Sequence, residues 1–329
     1  VPRRPLAERR TWSLTTSVLL ILCIALILPG ATPAGAVPVL PGNALLGRLV
    51  VDSRVPLVPF APVTGPATGG SALTPQTRAA LDGRVADLGE GVDFGIAVQD
   101  LRTGTTYSHN GQGRFPSASV AKLTVLTMLH LSAEEEGRDL TAAERAQVEQ
   151  MIRFSDNEVT DGLYARLGFT DGFQHHAESL GFTGTEPHPG GSWGSTMTTP
   201  SDQIRLLRAL YTDEGPLTDE DRAHIRGLME SVTPEQAWGV SAAATEGDIV
   251  GLKNGWTPRE SNGGLWTMNS VGYVAGADRE YLIAVMSDHN TDYTTGIALL
   301  EDLVSEVVEA IENPGAHDDS MAIGTTIHR

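Results

Sequence analysis

The chain has 329 residues, 40% of them hydrophobic and 19% charged, which is the range of a folded protein with room for a real apolar core. Its 41 Asp+Glu outnumber 23 Lys+Arg, and a net charge of −18 argues against nucleic acid and anionic membrane surfaces as partners. A single cysteine, Cys23, excludes an internal disulfide framework and a multi-cysteine metal site.

The N-terminus reads as an export signal. Arg3, Arg4, Arg9 and Arg10 precede the apolar run Val18–Leu28, and Ala34-Gly35-Ala36 supplies a small-residue cleavage site after Ala36. The run falls short of the roughly 20 residues that a membrane span needs; retention as an anchor is the alternative. Arg9-Arg10-Thr11-Trp12 is too loose a twin-arginine match to choose the export route. Cys23 follows the bulky Leu22 inside the run, so it reads as filler and not as a lipid-attachment cysteine. Cleavage removes it, along with four Arg and one Glu, and leaves 19 basic residues against 40 acidic ones, a net −21. Residues 37–72, rich in Pro, Gly, Val and Ala, read as an extended linker, 73–313 as the folded domain and 314–329 as a polar, flexible tail.

Within 73–313 the hydrophobic pattern changes three times. Leu81, Val85 and Leu88 at i, i+4, i+7 predict a helix over 75–89. Phe94–Val98 predicts a strand, and the turn at Thr103-Gly104 leads into a second. A helical stretch follows over about 119–240. It includes Ala142–Ile152 and Ser201–Tyr211, the latter with Pro200 at its start. Strands return at Ile249–Lys253, Trp266–Val274 and Tyr281–Met286. A closing helix carries Leu300, Leu303, Val304, Val307, Val308 and Ile311 on one face and Glu301, Asp302, Glu306 and Glu309 on the other. Two strands, a helical block, three strands and a helix describe one sheet interrupted by a helical insertion, with a site expected at the seam.

Three short motifs carry chemistry. If a helix begins near Ser119, Lys122 shares a face with it three residues on, and a neutral lysine in a dry pocket can take the serine's proton. Taken alone, Ser119 reads as a helix N-cap. Ser155-Asp156-Asn157 follows the helix ending near Ile152 and, alone, is a turn. Lys253-Asn254-Gly255 ends a strand, and its Asn-Gly pair is a strong turn signal. The order Ser-x-x-Lys, Ser-Asp-Asn, Lys-x-Gly on helix, loop and strand is much harder to assign to chance.

This triplet resembles the class A β-lactamases and the penicillin-binding proteins that share their fold. The likeness extends over about 75–312, through Phe115-Pro116 and Ala118 before the serine, Thr198-Thr199-Pro200 before a helix, and Asn269-Ser270-Val271-Gly272. It implies an α/β fold of the β-lactamase/transpeptidase type: a five-stranded antiparallel sheet flanked by N- and C-terminal helices, with an all-helical insertion. It also implies Ser119 as acylated nucleophile and Lys122 as base. Ser155 would relay a proton to the leaving nitrogen, Asn157 would bind the substrate amide, and Lys253 would help bind its carboxylate. Asn254, Gly255 and Trp256 complete the substrate side, with the N–H groups of Ser119 and Trp256 as oxyanion hole. The implied reaction is acyl-enzyme hydrolysis of a β-lactam or related cyclic amide by an exported, monomeric enzyme without cofactor or metal. A cell-wall D-alanyl peptidase, an esterase, and a penicillin-recognising domain that does not turn over are the rivals.

The sequence departs from the family twice. Asn254 stands where the family has Thr or Ser, and an amide differs from a hydroxyl in reach and geometry. The loop that carries the family's deacylating glutamate reads Gly184-Thr185-Glu186-Pro187-His188-Pro189-Gly190-Gly191-Ser192-Trp193, shorter and without the flanking Arg and Asn. Glu186 is the candidate base there, against a reading as an exposed loop carboxylate. His175-His176 with Glu178 lacks a third histidine or metalloprotease spacing and reads as polar side chains on the surface of a helix. Gly111-Gln112-Gly113 reads as a turn.

Overall fold

The computed structural model describes residues 73–314, so the expected signal segment, the linker and the tail beyond Pro314 lie outside the described residues. Helix α1 (Pro75–Leu88) begins at Thr74, whose side chain accepts the Thr77 N–H, with Pro75 pre-set for the first turn. Its inner face is Thr77, Leu81 and Val85; Leu88, expected on that face, is 39% exposed at the helix end. The hairpin β1 (Asp93–Asp100) and β2 (Thr106–His109) follows.

The chain then passes through β3 (Phe115–Pro116), a short 3-10 turn at Ala118–Val120, and helices α2 (Ala121–Glu135), α3 (Ala142–Arg153), α4 (Asn157–Arg166) and α5 (Phe169–Ser179). After β4 (Met197–Thr198) come α6 (Pro200–Tyr211) and α7 (Asp219–Met229). Strands β5 (Ile249–Pro258), β6 (Trp266–Ala275) and β7 (Glu280–Asn290) and helix α8 (Tyr293–Glu312) complete it. The main sheet is five-stranded and antiparallel, as the resemblance implies, in the order β2-β1-β7-β6-β5. The two-residue ribbon β3–β4 is too short to show any alternation along the chain.

Because strand side chains alternate, neighbours on β7 serve opposite cores. Ile283 and Val285 pack with Leu252, Ile96 and Val98 against Leu81, Leu300, Leu303 and Val307 of the flanking helices. Leu282 and Ala284 turn, with Val271, to the helical side. Every residue of α2 from Ala121 to Leu131 is buried, including the polar Lys122, Thr124, Thr127 and His130, so this helix is covered all round by the helical lobe. Among the described residues no helix is long and apolar enough to cross a membrane.

One expectation fails here. Lys253-Asn254-Gly255 does not end its strand: β5 continues to Pro258, with Asn254 opposite Ser270 and Gly255 opposite Asn269. A full ladder to β6 outweighs the local turn preference of Asn-Gly.

Candidate active site

The chain reaches the site through a strained corner. Ala118 sits at φ +45°, a left-handed conformation rare for a residue with a side chain, and the 3-10 turn it opens feeds directly into α2. Ser119 lies in that turn, half-buried, and does not cap the helix: Ser117 and Val120 hold the cap positions. Its neighbour Lys122, one turn on, is wholly buried.

Four oxygens surround the Lys122 Nζ: Ser155 O at 2.7 Å, Asn157 Oδ1 at 2.6 Å, Ser155 Oγ at 3.0 Å and Ser119 Oγ at 3.1 Å. The carbonyl oxygens of Ser155 and Asn157 can only accept, and they are the two nearest. A neutral amine has two N–H bonds for them and one lone pair left for a hydroxyl proton. Burial pushes Lys122 down to about 8, against the opposing pull of Asp156 and Asp161. The neutral form is therefore well populated just above neutrality.

Ser155 is placed by the α3–α4 link. Its own backbone turns left-handed at φ +55°, and Asp156 caps α4 by accepting the Val159 N–H. Lys253 of β5, also wholly buried, reaches the same hydroxyl at 3.1 Å from the opposite side and further contacts Gln236 Oε1 at 3.4 Å and its neighbour's carbonyl, Asn254 O, at 3.0 Å. Burial, reinforced by the nearby Lys122, drives Lys253 well below the ordinary lysine value. Two lysines thus share one serine hydroxyl, an arrangement suited to passing a proton through it.

Gly255 lets β5 press against the turn that carries Ser119. A β-carbon there would lie 2.7 Å from Ser117 O, 2.7 Å from Val120 N and 2.8 Å from Ser119 N, all backbone atoms. Only glycine permits this approach. The next residue, Trp256, lines the open cleft with Ser119 and Asn157; one arm of about 560 Å³ runs past Asp161, Trp193 and Arg259, and another past Ser155, Gln236 and Tyr293.

Two of the expected residues lie elsewhere. Asn254 is fully buried, and its Nδ2 donates to Gln236 O at 2.7 Å and Trp238 O at 3.0 Å, so it braces the backbone behind the strand and does not line the cleft. Glu186 is exposed and ion-paired to Arg114, with its backbone bridged to Met197, and is absent from the cleft lining. In its place the loop presents Trp193, whose ring lies 4.7 Å from the Lys122 Nζ and whose Nε1 donates to Asp161 Oδ1 at 2.7 Å. Asp161 stands four residues after Asn157 on α4; placing that helix start at Asn157 was the one signal that could have found it.

His175 and His176 also differ from expectation. His175 is exposed, but His176 is only 3% exposed, and the carboxylate beside them is Glu135 of α2 and not Glu178.

The fold agrees with solved structures of the same architecture. PBP-A is 18% identical with a TM-score of 0.63, covering 75% of this chain and 99% of its own. The β-lactamase from Sphaerobacter thermophilus DSM 20745 is 20% identical with a TM-score of 0.61, covering 71% and 97%. An ancestral class A β-lactamase (GNCA) is 22% identical with a TM-score of 0.58, covering 70% and 99%. In sequence, the Mycobacterium tuberculosis (strain ATCC 25618 / H37Rv) protein named "Putative lipoprotein LppW" is 28% identical over 253 residues, 75% of this chain and 78% of that one. The model of the Beta-lactamase enzyme family matches residues 78–150 and 137–311, which is most of the chain. With that match joined to a five-stranded antiparallel sheet and its helical lobe, the chain belongs to the beta-lactamase enzyme family.

Proposed function

We propose that the protein is an exported serine hydrolase that acylates itself at Ser119, on a β-lactam or related cyclic amide, and releases the acyl group slowly. The observation that carries this reading is the Lys122 amine, with its two nearest oxygens both pure acceptors and its remaining contacts the hydroxyls of Ser119 and Ser155. In this mechanism the lone pair of Lys122 takes the Ser119 proton as Oγ attacks the substrate carbonyl carbon. The negative oxygen of the tetrahedral intermediate is held by the N–H groups of Ser119 and Trp256. Ser155 then passes its proton to the leaving nitrogen and is recharged through the lysines that share its hydroxyl, which leaves the acyl group on Ser119. Asn157 orients the substrate amide. Lys253 keeps Ser155 in place and draws the substrate's carboxylate toward the cleft.

Deacylation needs a base beside a water, help typically worth about 10²–10⁴-fold. Glu186 is held at Arg114, and an indole covers the Lys122 face where such a carboxylate would act. This favours behaviour like that of a penicillin-binding protein, in which cell-wall D-alanyl peptides are the natural acyl donors and penicillins trap the enzyme. The "lipoprotein" in the mycobacterial relative's name fits an envelope location for this chain as well.

Nitrocefin turnover and stable labelling by a fluorescent penicillin, measured on the same purified protein, test the reading. Stoichiometric labelling at Ser119 with a burst and slow turnover is the expected result. No label and no turnover with any β-lactam or activated ester would leave a binding domain in its place.

A further inference from the structure

Helices α2 and α5 meet away from the cleft, and their contact joins three metal-ligating side chains. Glu135 ends α2, thirteen residues beyond Lys122, while His175 and His176 lie on α5. His175 Nε2 lies 3.2 Å from each Glu135 carboxylate oxygen, and His176 Nδ1 lies 3.7 Å from Oε1. The three donor atoms fall within 4.8 Å of one another.

The second observation is His176 itself. The residue is 3% exposed, and its Nδ1, sealed from solvent, has no hydrogen-bond partner among the described residues. At 3.7 Å the Glu135 oxygen is too far to satisfy it. A buried ring nitrogen left unmatched is costly, yet this one points at a carboxylate that a second imidazole also approaches.

The spacing suits an ion better than a hydrogen bond. Bonds of about 2.0–2.2 Å to nitrogen and oxygen around a tetrahedral centre separate the donors by roughly 3.4 Å. The two Glu135–histidine separations, 3.2 Å and 3.7 Å, bracket that value, while the two imidazole nitrogens, within 4.8 Å of each other, would draw together on binding. We propose that Glu135, His175 and His176 form a site for one first-row divalent cation of the zinc type, with solvent as the fourth ligand, that ties the end of α2 to α5. Two imidazoles select such an ion over Mg²⁺ or Ca²⁺, which prefer oxygen.

This departs from the reading of the sequence, which paired the two histidines with Glu178 and expected no metal. The third donor comes from another helix, 40 residues upstream of His175, and no local spacing could announce it.

Calorimetric titration of the tag-free protein with Zn²⁺, and the visible spectrum on adding Co²⁺, test the proposal. One equivalent should bind, with four-coordinate Co²⁺ bands and a rise in Tm. His175→Ala and Glu135→Gln, both at exposed positions, should each weaken binding on the order of 10- to 100-fold or more. The His224→Ala variant, at a separate histidine, should bind as wild type does. Absence of Zn²⁺ binding, one equivalent surviving in both variants, or an equal response to Mg²⁺ and Ca²⁺ would each overturn the site, whatever the protein does with β-lactams.

Discussion

At the scale of single residues, the chemistry depends on which form Lys122 takes. Its value near 8, against about 10.5 for an ordinary lysine, means that under the proposed mechanism acylation should rise with pH as the amine loses its proton. Labelling rates with a penicillin between pH 6 and 9.5 should climb through an apparent midpoint close to 8; a flat profile would remove Lys122 as the base. The same shift has a stability counterpart. Between about 8 and 10.5 the unfolded chain binds more protons at this lysine than the folded one, so the folded state gains stability as pH rises through that window. Intact mass spectrometry should find the adduct on wild type and none on Ser119→Ala. Gly255→Ala is the sharper geometric probe, because its methyl would meet three backbone atoms of the nucleophile turn that cannot rotate aside. A displacement of about 1 Å can cost about 10²-fold in rate. The variant should keep its circular dichroism spectrum and lose labelling by about that factor.

At the scale of elements, short motifs were legible and the parts that complete them were not. Ser119 and Lys122 are three apart, and Ser155, Asn157 and Lys253 stand in compact motifs; the structure draws Ser119, Ser155, Asn157 and Lys253 around or beside the Lys122 amine. Trp193 and Asp161 belong to a loop and a helix face that meet only after folding, and neither residue type signals a role by itself. The strand was misjudged for a related reason: whether Asn-Gly turns or continues depends on the ladder offered by β6. The loop yields its own prediction. Since Glu186 spends its carboxylate on Arg114 at the surface, Glu186→Gln should leave the deacylation rate within about twofold of wild type, a change far below the 10²–10⁴ of a lost base. Stopped-flow nitrocefin kinetics decide this. Fast turnover that collapses in the variant would restore Glu186 as the base and make efficient β-lactam hydrolysis the better reading.

At the scale of the whole molecule, the sheet with its closing helix was readable from periodicity. The unbroken apolar run of β7, buried on both faces, and the i, i+3, i+4 stripe of α8 answer directly to burial, and Leu300, Leu303, Val304 and Val307 are fully buried as that stripe requires. Harder to foresee was how the two cores divide the work. Ser119, Lys122, Ser155 and Asn157 come from the helical lobe, whereas Lys253 comes from a strand whose Leu252 belongs to the other core, and the hydrogen bond from Lys253 to Ser155 spans 98 residues. A shared hydroxyl gripped from both sides would make the proposed covalent reaction a gauge of folding. A chain whose two cores have come apart has Lys253 withdrawn from Ser155, and labelling becomes a count of fully assembled molecules. The fluorescent-penicillin signal in a urea series should then fall at the same midpoint as circular dichroism. A labelling midpoint at lower urea would reveal molecules whose secondary structure outlives the docking of the two halves, a population that spectroscopy of the backbone alone passes over.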